Sequence, residues 1–116
     1  MPDRSLPTYT VPETLPTDPV LADLVPEFLA QWVNDLTVTW QDLRQQGDLD
    51  GFRRFGHTIK GSFLQFGFKE LSAVGKEIMH DADDQDWDTA QDRIHGILAV
   101  LVELQKRIDD GNITIQ

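Results

Sequence analysis

The chain has 116 residues, 40% of them hydrophobic and 26% charged, which suits one domain with a modest core. Twenty acidic residues against ten basic ones leave a net charge of −10, which opposes binding to the phosphate backbone of nucleic acid. The absence of cysteine excludes a disulfide framework, thiolate metal sites and thiol catalysis. No apolar run reaches the length of a membrane span, and the N-terminus lacks the basic start and apolar stretch of a signal peptide, so a cytoplasmic protein is expected.

Residues 1–17, "MPDRSLPTYTVPETLPT", carry four prolines and no helical period, which predicts an extended tail. Leu6, Tyr9, Val11 and Leu15 give it apolar side chains that can lie on the domain, and the sequence leaves open whether they do. Asp18 suits a helix cap and Pro19 the first helical position. Pro26 lacks a backbone donor and disfavours helical geometry at Val25. The expectation is therefore a short extra helix near 19–24 and a long one starting at Pro26. Leu29, Trp32, Val33, Leu36, Trp40 and Leu43 form one stripe of the long helix, and Gly47 stops it.

Asp48 or Asp50 can cap a second long helix, near 49–66, closed by Gly67. A third, near 68–83, places Leu71, Val74, Gly75, Ile78 and Ala82 on one face. After the polar turn "DADDQDWD", Asp86 or Asp88 starts a fourth, near 87–110, with Ala90, Ile94, Ile97, Leu98, Leu101, Leu104 and Ile108 inward. Gly111 ends it, and residues 111–116 read as a C-terminal tail. Long amphipathic helices joined by short links make antiparallel neighbours, so the expected fold is all-α: an antiparallel four-helix bundle over residues 18–110.

His57 stands in the middle of the second long helix. At about 100° per residue, Phe52, Phe55, Ile59, Ser62 and Phe66 fall opposite it, on the face that should be buried. Arg53, Lys60, Gly61 and Leu64 share its own, outward face. A core histidine satisfied by a carbonyl would sit among the phenylalanines, and this one does not. Lys60 is one turn away and can reach the same point in space. Gly61 costs about 1 kcal/mol against Ala in a helix interior, and it opens a gap beside the imidazole. Leu64 adds an exposed apolar contact. A nucleophile, a cation, a gap and an apolar contact on one face suit attack on a charged group delivered by a partner.

The remaining features read as structural. His80 falls on a solvated face with Lys69 and Lys76, and His95 at the surface or the edge of the bundle. The three histidines lack the i, i+4 pairing with carboxylates of a metal site. The Asp-rich turn lacks the Gly and terminal Glu of a calcium loop. Trp32, Trp40 and Trp87 suit core or rim packing.

"HTIKGSFLQFG", residues 57–67, has the pattern H-x-x-K-G-x-x-x-x-x-G. With the helix count and Leu71 four residues past Gly67, it resembles the histidine phosphotransfer (HPt) domain family of two-component phosphorelays over residues 18–110. The resemblance implies that His57 carries a phosphoryl group and exchanges it with the Asp of response-regulator receiver domains. It assigns Lys60 to the phosphoryl charge, Gly61 to clearance for the receiver and Gly67 to closing the helix. Family members often carry Glu or Gln at the position of Met79, which makes no strong hydrogen bond; Lys76, one turn earlier, is the residue placed to substitute.

The resemblance further implies a phosphocarrier without autonomous kinase activity, with no cofactor of its own and Mg²⁺ supplied by the receiver. No Walker pattern or kinase-type glycine loop is present in the sequence. The expected partners are receiver domains or hybrid sensor kinases, with neither nucleic acid nor membrane, and the expected state is a monomer. The initial Met and the non-helical tail favour a free-standing protein. An alternative is an HPt-like module that docks a receiver or kinase without phosphotransfer, which the intact His57, Lys60 and Gly61 disfavour. A kinase dimerisation domain is disfavoured because "TIKG" follows His57 where such domains carry an acidic residue and a downstream Pro.

Overall fold

The structure, a computed structural model, describes residues 6–16 and 18–115. Helices make up most of it: α1 (Pro19–Asn34), a π-helical segment (Asp35–Thr39), α2 (Trp40–Gln46), α3 (Leu49–Gln65), α4 (Lys69–Asp83) and α5 (Trp87–Asp109). Two short strands, β1 (Thr14–Leu15) and β2 (Thr114–Ile115), pair in parallel. Of the tail expected at 111–116, residues 114 and 115 pair with residues 14 and 15, and residue 116 lies outside the described residues.

Three aspartates cap helices where the sequence leads one to expect them. Asp18 accepts from the Val20 amide at 2.9 Å, Asp48 from Gly51 at 2.9 Å and Asp86 from Thr89 at 3.1 Å. Gly47, Gly67 and Gly111 follow helix ends with φ of 64°, 81° and 71°, a conformation that only glycine adopts without strain.

The break expected at Pro26 is absent. Pro26 lies within α1, which runs unbroken from Pro19 to Asn34, so there is no separate short helix at 19–24. Pro26 is exposed, at the edge of the stripe on which Ala22, Val25, Leu29 and Trp32 are buried. A proline inside a helix costs about 3 kcal/mol. Burying one large apolar side chain returns about 1.5–3 kcal/mol, and a continuous α1 buries several.

The π-helical segment follows directly. The Trp40 amide bonds to the Asp35 carbonyl, one residue further back than in an α-helix. The Thr37 hydroxyl donates to the Val33 carbonyl at 2.8 Å, and the Thr39 hydroxyl to Asp35 at 3.0 Å. Leu36 and Trp40 stay buried through the segment.

The core is aromatic at both ends of α3. Trp40 packs edge-on against Phe52 at 5.2 Å between centroids, with Trp87 4.4 Å from Phe52. Phe28 stacks on Phe66 at 4.1 Å, and Trp32 meets Phe63 edge-on at 5.2 Å. Trp32 and Trp40 are buried and Trp87 half-buried.

The described part of the N-terminal tail is extended and lies on the domain. Leu15 is buried, Tyr9 and Val11 are half-buried, and Leu6 is exposed. The Thr10 amide donates to Glu70 of α4. A methyl group on Gly96 of α5 would stand 2.7 Å from the Tyr9 ring, so the tail passes over α5 where a side chain is missing. Residues 1–5 and 17 of the expected tail lie outside the described residues.

Candidate functional site

The site is built on α3 and α4, which are joined by a three-residue turn. Gly67 donates to the Leu64 carbonyl at 3.0 Å and Phe68 to the Phe63 carbonyl at 2.9 Å, and this closes α3 and reverses the chain. The helices then run antiparallel in close contact. A Cβ on Gly56 would lie 2.9 Å from both the Gly75 carbonyl oxygen and the Met79 nitrogen. A Cβ on Gly75 would lie 2.5 Å from the Lys60 nitrogen. The Ser72 hydroxyl donates to the Lys60 carbonyl at 2.7 Å. Side chains larger than glycine at 56 and 75 would hold the two backbones apart.

His57 is exposed, in the middle of α3. The buried face behind it comprises Gly51, Phe52, Phe55, Gly56, Ile59 and Phe63. Compared with the face read from the sequence, it is turned toward α4: Phe63 and Gly56 are buried, whereas Ser62 and Phe66 are half-buried. The turn arises because the two glycines draw α4 against that side of α3.

Lys60 and Gly61 are exposed, and an added Cβ at Gly61 would meet nothing within 4 Å. Leu64, 54% exposed, extends the face by another turn. Arg53 is exposed too, but its Nε donates to Asp83 of α4 at 3.0 Å, so its charge is balanced. That pair joins the outward faces of α3 and α4 into one surface. Lys76 is exposed on the α4 side and Met79 is half-buried at the seam, with its Cγ 3.0 Å from where a Gly56 Cβ would be. An open hollow beside the imidazole is lined by Asp50, Arg53, Arg54 and His57.

The structure thus brings Arg53, His57, Lys60, Gly61, Leu64, Lys76 and Met79 to one two-helix surface and leaves Gly67 in the turn below it. His80 is exposed on α4 and His95 is exposed on α5. Five of the ten basic residues of this acidic chain, Arg53, Arg54, Lys60, Lys69 and Lys76, lie on these two helices.

Sequence reasoning missed the Gly56–Gly75 contact, the Ser72 bond to Lys60 and the Asp83 partner of Arg53. A glycine in the interior of each of two adjacent helices was the available signal for the first. The other two need the register between the helices, which the sequence alone does not print.

The profile of the Hpt domain family matches residues 23–110. This chain is an Hpt domain. The match spans α1 through α5 and includes the whole His57 surface. No curated protein and no solved structure matches the chain significantly. Hpt domains are phosphocarriers of two-component signalling that work with receiver domains and sensor kinases, and the helical fold agrees with membership. No helix among the described residues is long and apolar enough to cross a membrane.

On the far side of α4 this Hpt domain holds a polar cluster away from His57. The Arg93 Nε of α5 donates to Asp81 at 2.7 Å, and its Nη1 pairs with Glu77. Burial pushes the Asp81 carboxyl above its usual range, with the Arg93 hydrogen bond and charge opposing the rise. Burial likewise raises the Tyr9 phenol beside them. Asp81 is 7% exposed, so its charge depends on Arg93 for compensation.

Proposed function

We propose that this Hpt domain accepts a phosphoryl group on His57 and exchanges it with the aspartate of a response-regulator receiver domain in a phosphorelay. The observation that carries the reading is the exposed imidazole at the centre of an outward face, with Lys60 one turn on and open space at Gly61. A neutral imidazole is a nucleophile near pH 7 without an activating base. The lone pair on Nε2 attacks the phosphorus of the aspartyl phosphate. The bond between phosphorus and the bridging oxygen of the aspartyl carboxyl group breaks, and the carboxylate leaves with its electron pair. The Nδ1 proton stays on the ring or passes to solvent. Transfer back to an aspartate reverses these steps.

Positioning and charge dominate such a transfer. Lys60 meets the phosphoryl charge, Gly61 lets the receiver approach, and Leu64 gives it an apolar contact. The receiver contributes the acceptor Asp and Mg²⁺. The chain acts as a cytoplasmic monomer without kinase activity of its own. Its domain spans 18–110, with α1 continued through α2, α3, α4 and α5 as the four members of an antiparallel bundle.

The test is phosphorylation by phosphoramidate, read by intact mass at neutral and acid pH on the wild type and His57→Gln. One acid-labile phosphate on the wild type alone supports the reading. No phosphate on either, or equal phosphate on both, sinks it and leaves a docking module without phosphotransfer.

A further inference from the structure

Arg54 borders the hollow beside His57 on α3 alone; three further cations, Arg53, Lys60 and Lys76, stand along the α3–α4 seam, and their situations differ. Arg53 is committed to Asp83 at 3.0 Å. Lys60 and Lys76 are exposed, and neither forms an ion pair among the described residues. The backbone contacts fix the register between them. Gly56 faces the stretch between Gly75 and Met79, and Lys60 faces Gly75. Lys76 is therefore across the seam from both His57 and Lys60. The Arg53–Asp83 pair crosses the seam on the same side, so Lys76 opens onto the same surface.

Met79 fills the seam against Gly56 with a thioether, which neither donates nor strongly accepts a hydrogen bond. A phosphoryl dianion on His57 would thus find an apolar wall at Met79 and a flexible ammonium on each helix. A lysine's four-carbon stem and three rotatable donors suit a target whose position changes as the phosphoryl group is handed over.

We propose that Lys76 is, with Lys60, the second cation that holds the phosphoryl group on His57, and that Asp83 withholds Arg53 from that role. The inference rests on the phosphocarrier reading above. It makes the site one of paired charges from two helices, set by the Gly56–Gly75 contact, without a hydrogen-bonding side chain at 79.

The test uses the full chain with Lys76→Met, Lys76→Arg and Asp83→Asn, all at exposed positions, with circular dichroism as the folding check. Each is phosphorylated with phosphoramidate at low and high KCl, and the phosphoryl resonance is titrated with pH by ³¹P NMR. Lys76→Met is expected to react about threefold more slowly, the effect of one exposed charge pair. Its phosphoryl ionisation should move to higher pH, and its rate should respond less to salt. Lys76→Arg should restore both, and Asp83→Asn, by freeing Arg53, should react faster than the wild type. A phosphorylated wild type with Lys76→Met matching it in rate and titration overturns the role of Lys76. An Asp83→Asn rate no faster than the wild type overturns the role of Asp83. A wild type that takes no phosphate overturns the phosphocarrier reading itself, and this inference with it.

Discussion

Gly56 of α3 and Gly75 of α4 meet backbone to backbone, so close that a methyl group on Gly56 would lie 2.9 Å from the Gly75 carbonyl oxygen. Backbone cannot give way as the end of a flexible side chain can. Gly61, five residues along the same helix, has nothing within 4 Å of an added Cβ. The two glycines should therefore respond to alanine with opposite signs. Gly56→Ala is expected to destabilise by about 1–3 kcal/mol through overpacking. Gly61→Ala should stabilise by about 0.5–1 kcal/mol by limiting the unfolded chain. Urea unfolding measures both. Gly61→Ala should also slow transfer to a receiver while leaving phosphorylation by phosphoramidate unchanged.

Lys60→Met should leave stability near that of the wild type, because Lys60 is exposed and has no ion-pair partner among the described residues. Phosphorylation of His57 should slow by about tenfold, a loss of ~1.4 kcal/mol of transition-state stabilisation. Rates of acid-labile phosphate formation by intact mass check this. A wild-type rate would remove Lys60 from the site.

Asp81 gives the pH dependence. Its folded-state pKa is raised above 3.8, chiefly by burial. As pH rises through the interval between 3.8 and the raised value, the unfolded chain has already given up the proton that the folded chain keeps. Stability therefore falls across that interval and levels off above it. Unfolding of the wild type and Asp81→Asn from pH 3 to 7 should show the wild type losing ground to the variant as pH rises. A gap that moves the other way would mean that the pairing with Arg93 outweighs burial.

Much of this molecule is legible in its sequence. The caps Asp18, Asp48 and Asp86, the stops at Gly47, Gly67 and Gly111, and the inward faces of α4 and α5 follow from local chemistry and period. His57, Lys60, Gly61 and Leu64 share an outward face because one helix wheel suffices to place them. What a single element cannot reveal is where its neighbour presses. The buried arc of α3 is turned toward Phe63 because α4 lies against Gly56, and Arg53 is occupied because Asp83 stands one helix away.

Pro26 is the case where a sound local rule lost to packing. Its penalty is real, but Val25 and Leu29 are fully buried on either side of it. Pro26→Ala should then recover the lost hydrogen bond and relieve the clash with the preceding turn. Less freedom lost by the unfolded proline chain offsets part of this, so a net gain of about 1–2 kcal/mol is expected. Thermal unfolding of the variant checks it; a loss of stability would mean that the ring of Pro26 contributes to the fit of α1.

The pairing of residues 14 and 15 with 114 and 115 makes the two ends of the chain share one fate. It closes a noncovalent ring around the whole helical body, and the entropy of closing a ring grows only slowly with its length. Its partners are the most distant in sequence, so it should be the last contact made in folding and the first released when either end is pulled or trimmed. A cut at the C-terminal strand would be felt at Leu15, a hundred residues from its partner Ile115 along the chain and next door in space.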